Sequence, residues 1–125
     1  MSYGSTFESN FDGRKVEIGD LGKLNSEIGK LDGGMSTARI VKDSYVYGLE
    51  MDDNCGSFSD DKKFAEILSR HLIKGKIILS YVGEQGDKWG YLVLPNKVVE
   101  LAYIAVPANL FKQVSDYIES LTNTK

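Results

Sequence analysis

The chain has a single cysteine, Cys55, and a single histidine, His71, and the sequence gives neither the neighbours that reactivity requires. One cysteine excludes an intramolecular disulfide and a structural zinc site built from cysteine ligands, and a reducing compartment is the simpler setting for it. Cys55 sits beside Gly56 with no activating base in the local sequence, and no G-x-S-x-G elbow accompanies His71, so no catalytic residue is expected. Long apolar runs are missing too. None approaches the roughly 18 residues of a membrane span, and the opening MSYGSTFESNF lacks the basic start and apolar middle of a secretory leader. The expected location is the cytoplasm. Positive charge is in deficit: 15 Lys and Arg stand against 18 Asp and Glu, for a net charge of -3. That balance disfavours a nucleic-acid binder and leaves only a local basic patch as a route to phosphate.

What is present is a globular composition, 42% hydrophobic and 26% charged, in 125 residues. This suffices for one domain over 1–125 with a core that needs no metal, disulfide or cofactor. The most ordered stretch runs from Lys76 to Val106, three apolar runs separated by two short turn signals, which predicts a three-stranded antiparallel meander. Ile77, Leu79 and Tyr81 alternate with Ile78, Ser80 and Val82, giving one strongly apolar face. Gln85-Gly86-Asp87 and Pro95-Asn96 supply the turns. Gly90, inside the second strand, asks for a bulge or for an aromatic lying over its bare backbone.

Elsewhere the patterns are shorter. Residues 1–12 are polar and read as a flexible arm, and Arg14 to Ile18 as an edge strand. Asp20 caps a short helix carrying Leu21, Leu24, Ile28 and Leu31, stopped at Asp32-Gly33-Gly34. Thr37 to Met51 reads as a hairpin or one long bent strand broken at Lys42-Asp43-Ser44. Ser59 caps a second helix with the stripe Phe64, Ile67, Leu68 and Leu72, and Pro107 opens a third whose polar end, 122–125, frays. The class is α+β: an antiparallel sheet of about five or six strands with three helices packed mainly on one face.

Three constellations merit weighing. Glu50, Asp52, Asp53, Asp60 and Asp61 crowd one segment without a basic partner, as a hard cation would want. Counted from Asp52, however, Gly56, Ser57 and Lys63 fall where a calcium loop needs a ligand, a glycine and a glutamate, so no metal ligand is assigned. Glu84, Asp87 and Trp89 surround one hairpin turn. Tyr45 and Tyr47 lie on a strand among acidic and apolar neighbours, which suits a core or a protein interface better than a base-stacking platform.

The segments YGLEMDDNCGSFSDDKKFAEIL and KGKIILSYVGEQGDKWGYLV resemble a set of small uncharacterised proteins carried by bacteriophages, plasmids and their hosts. These share a strand, a short polar loop, a helix and a hairpin with a G-E-x-x-D-x-W type turn, here Gly83, Glu84, Asp87 and Trp89. The resemblance covers roughly the middle third to half of the chain and implies no activity. The expectation is a small acidic non-enzymatic module that binds another protein, as a phage or mobile-element factor that binds or inhibits it. The candidate contacts are Asp52, Asp53, Asp61, Tyr45, Tyr47, Glu84, Asp87 and Trp89. The alternative is a metal-dependent or carboxylate-based enzyme using Asp52 to Asp61.

Overall fold

The computed structural model describes residues 6–51, 58–103 and 111–123. In chain order the elements are β1 (Thr6–Asn10), β2 (Glu17–Ile18), α1 (Leu21–Gly29), a 3₁₀ turn (Gly34–Thr37), β3 (Arg39–Asp43), β4 (Val46–Glu50) and α2 (Asp61–His71). After them come β5 (Leu72–Lys74), β6 (Ile77–Val82), β7 (Lys88–Leu94), β8 (Lys97–Ala102) and α3 (Phe111–Asn123). The chain is α+β with an antiparallel sheet and three α-helices, as its patterning indicates. Its strands are shared between a four-stranded sheet, ordered β1-β6-β7-β8, and two ribbons, β2-β5 and β3-β4.

The meander is the frame. Its register sets Tyr81 opposite Trp89, Leu79 opposite Tyr91 and Ile77 opposite Val93, so six large side chains share one face of the sheet. Helix α2 covers that face with Phe64, Ile67 and Leu68, and the buried Ser69 hydroxyl donates 2.7 Å to the Leu94 carbonyl. The turn after β7 is held from the same helix, since the Asn96 amide donates 3.0 Å to the Ser69 carbonyl. Asn96 has a φ of 57° and Gly86 a φ of 83°, the left-handed conformations that the two turn signals supply. Gly90 is roofed by an aromatic: a Cβ there would lie 2.9 Å from the Tyr103 hydroxyl and would collide with the Leu79 carbonyl oxygen. Tyr103 is fixed in place by a 2.7 Å hydrogen bond with Ser80.

Helix α1 starts where expected, with the Asp20 carboxylate accepting from the Lys23 amide at 3.0 Å. It buries Leu24 and Ile28, and its Asn25 amide group pairs with both the N–H and the C=O of Ile40, each at 2.9 Å. One side chain thereby takes the place of a neighbouring strand. The stretch from Thr37 resolves into a hairpin, β3 and β4, turning at Ser44 with a φ of 57°.

Three sequence expectations need correction. Residues 6–10 are not part of a flexible arm: β1 pairs with β6 from Thr6–Val82 to Asn10–Ile78. The reason is twofold, because the open edge of β6 offers unpaired backbone groups and Phe7 fits an aromatic cluster, 5.0 Å from the Tyr81 ring and 6.1 Å from that of Phe58. Asp60, rather than Ser59, takes the cap position of α2, and its carboxylate makes no capping bond. Finally, α3 continues through Asn123 instead of fraying from 122, since each added helical residue gains a hydrogen bond once the nucleus exists. The helix start assigned to Pro107 and residues 124–125 lie outside the described residues. Among the described residues no helix is long and apolar enough to cross a membrane.

If β1 is an integral strand, Phe7→Ala should destabilise the fold by about 2 kcal/mol, while Glu8→Ala, on the exposed face, should change stability by less than about 0.5 kcal/mol. Urea denaturation of the two variants is the check, and equal, negligible effects would restore the flexible arm.

Candidate functional site

Two neighbouring carboxylates at the start of α2 reach in opposite directions. Asp60 is 1% exposed, and its two oxygens accept from the Gly33 amide at 2.8 Å and the Met35 amide at 3.2 Å. It therefore caps the 3₁₀ turn. The approach depends on Gly33, where a Cβ would sit 2.6 Å from the Asp60 carboxylate. Asp61 points to the sheet: one oxygen accepts from Trp89 Nε1 at 2.5 Å and from the Tyr91 hydroxyl at 3.0 Å. Its other oxygen accepts from the Lys62 amide at 2.7 Å, in the first turn, where a negative charge suits the helix dipole.

Around Asp61 the aromatic cluster closes. Trp89 stacks on Tyr81 with centroids 5.4 Å apart and planes 8° from parallel, and Tyr91 meets Tyr81 edge-on at 6.1 Å. Burial, reinforced by the Asp61 charge, pushes both the Tyr81 and the Tyr91 phenols well above their usual range. Trp89 thus packs between sheet and helix.

A second polar group ties the two helices. Glu27 of α1 receives Arg70 at 2.8 Å and His71 Nε2 at 2.8 Å, both from the last turn of α2. The hydrogen bond from Arg70, and then that with His71, holds the Glu27 carboxyl below the usual range. His71 is occupied by this structural pairing.

The remaining residues singled out by sequence fall in different places. Tyr47 is buried and its hydroxyl donates 3.1 Å to the Ile18 carbonyl, with Lys42 Nζ 5.0 Å from its ring centroid. Glu84 and Asp87 are exposed at the β6–β7 turn. Asp52, Asp53 and Cys55 lie outside the described residues. Among the described residues no group of three His, Cys, Asp or Glu side chains could hold a metal ion. Tyr45 is 86% exposed at the tip of the β3–β4 hairpin.

Tyr45 stands at the wall of a feature that sequence reasoning did not locate: an open cleft of about 1150 Å³ where the two ribbons meet the end of β1. Arg14, Lys15, Lys42, Lys74 and Lys76 line it, against the carboxylates of Asp12 and Glu17. These cations come from three separate parts of the chain. The β2–β5 pairing brings Glu17 opposite Lys74, and the tight turn at Gly75, with φ at 95°, packs on the Lys15 and Val16 backbone. The hairpin is anchored alongside by the Tyr47 amide, which donates 3.0 Å to the Gly13 carbonyl. A warning signal was available in the spacing of Lys74 and Lys76 around a glycine, but their convergence with Arg14, Lys15 and Lys42 is a product of topology.

The raised phenols give a pH prediction. Below the usual phenol value of 10.0 the folded and unfolded chains both keep these protons; above it the unfolded chain releases them and the folded chain does not. Stability should therefore fall as pH rises beyond about 10. In an alkaline titration the last tyrosinate absorbance should appear together with the loss of helical circular dichroism. Complete ionisation of all 7 tyrosines with the dichroism intact would contradict the burial of Tyr81 and Tyr91.

Comparison with protein families, with curated proteins and with solved structures returned no match, so the function has to be argued from these residues themselves.

Proposed function

We propose that the chain is a small non-enzymatic protein-binding module that docks its partner along the cleft, with Tyr45 as the anchoring side chain. The observation that carries this reading is the exposure of Tyr45, 86%, on a hairpin that is itself rigidly held. Exposed tyrosine on an ordered support is favoured at interface hot spots, because it brings a large contact area at little cost in conformational entropy. The Asn25–Ile40 pairing and the Tyr47 bonds to Gly13 and Ile18 supply the support.

Asp61, Trp89 and Tyr47 are engaged in internal hydrogen bonds, which leaves these three side chains less free to contact a partner. Glu84 and Asp87 remain exposed at a separate turn, where they can steer the encounter by their charge. The likeness of the middle segments to small phage and plasmid proteins makes a host or rival protein in the cytoplasm the partner we favour, with inhibition of that protein as the outcome.

The test is affinity capture from host cells with the wild-type chain and with Tyr45→Ala. The variant should lose the partner that the wild type retains, while its unfolding free energy changes by less than about 0.5 kcal/mol, as expected for an exposed site. Capture of the same proteins by both chains would remove Tyr45 from the interface and overturn the reading.

A further inference from the structure

We infer that the cleft recognises an acidic, extended peptide segment, so that the partner presents aspartate or glutamate residues to Arg14, Lys15, Lys42, Lys74 and Lys76. This rests on the reading of the chain as a protein-binding module and adds the chemistry of what it binds. The central observation is a reversal of sign: a chain of net charge -3 gathers five cationic side chains around one cleft, with two carboxylates among them. Such a local excess of positive over negative side chains, which the Lys76–Glu119 pair reduces but does not cancel, attracts negative segments.

The cations differ in what already holds them. Lys76 is paired with Glu119 of α3 at 2.6 Å, Arg14 lies 3.5 Å from Asp12, and Lys42 sits over the Tyr47 ring. Lys15 and Lys74 are exposed and make no ion pair among the described residues. Neither is held by an ion pair, although Glu17 stands opposite Lys74 and Lys15 lies close enough to Asp12 to act on it by charge. Arg14, only loosely engaged by an exposed aspartate, can turn its planar guanidinium to a carboxylate in a two-pronged bond.

The surroundings decide between ligand classes. The cleft is open and is lined from the end of β1, both ribbons and the Gly75 turn, which leaves room for an extended segment of chain. Single-stranded nucleic acid needs successive aromatic faces along its path. Here the Tyr47 ring is buried under Lys42 and Phe11 is half-buried against the core, which leaves Tyr45 as the one exposed aromatic among the described residues that line the cleft. Asp12 and Glu17 in the wall would also repel an unbroken row of phosphates. A peptide places acids at intervals and can offer backbone N–H groups to those two carboxylates.

Fluorescence anisotropy with labelled probes tests this on the full chain. The probes are a glutamate-rich peptide of extended sequence, a glycine-serine peptide of the same length, and oligothymidylate of matching length. The acidic peptide should bind, lose about tenfold in affinity as salt is raised until the screening length falls below about 8 Å, and lose at least about tenfold with Lys15→Gln plus Lys74→Gln. The double variant should keep the wild-type circular dichroism, since both side chains are exposed. Equal binding of the neutral peptide, tighter binding of oligothymidylate, or an unaltered affinity in the double variant would each overturn the inference. Absence of acidic-peptide binding while Tyr45-dependent capture of a partner persists would overturn the acidic-segment assignment alone and leave the binding-module reading in place.

Discussion

Asp60 and Asp61 are adjacent in sequence and divided in purpose, and the arrangement of every layer passes through them. The backbone at the start of α2 sends one carboxylate toward the 3₁₀ turn after α1 and the other toward the indole and phenol of β7. A buried carboxylate is tolerable only when its oxygens are satisfied, and each oxygen of this pair has a donor. Loss of Asp60 would leave the amides of Gly33 and Met35 without partners, at about 1–3 kcal/mol for each group that stays buried. The two acids thereby join helix, turn and sheet at one point, and the aromatic cluster of Phe7, Phe58, Tyr81, Trp89 and Tyr91 forms around that point.

This has a consequence for function. Two acidic residues of the Glu50–Asp61 segment, Asp60 and Asp61, are consumed in holding the fold, as Glu27 is by Arg70 and His71. The charge left over for recognition is therefore distributed differently from the charge in the sequence. The formal net charge is -3, while Arg14, Lys15, Lys42, Lys74 and Lys76 against Asp12 and Glu17 line the cleft between the ribbons. On the proposed reading, such a distribution would favour partners that are acidic in one segment over those that are acidic throughout.

Much of the architecture could be read from local pattern. The alternation in Ile77 to Val82, the glycine at Gly86 and the asparagine at Asn96 specify the meander because period, turn chemistry and burial all agree there. The role of Gly90 was legible for the same reason, since an interior strand glycine has few other uses. β1 was not legible: Thr6 to Asn10 is polar on its exposed face and has one half-buried aromatic, so its strand state is conferred by the β6 edge rather than by its own propensity. The candidate site was less visible still. Tyr45 stood out as an aromatic, but its fate differs from that of Tyr47 because Tyr45 falls in the turn before β4, which starts at Val46, while Tyr47 lies within the strand and turns inward. The basic cleft draws on cations from Arg14 to Lys76, and no short window along the sequence contains it.

The assignment of Asp61 as a structural acid is the step from which the rest follows, and a double-mutant cycle tests it most directly. Trp89→Phe removes the indole N–H and keeps an aromatic ring, Asp61→Ala removes the acceptor, and the cycle compares both with the pair by urea denaturation at pH 7. A hydrogen bond to a partly buried carboxylate predicts a coupling of about 2 kcal/mol, with Asp61→Ala costing stability on its own. A coupling near zero, with Asp61→Ala as stable as the wild type, would mean that Asp61 is free for binding and would return the acidic segment to consideration as the functional surface.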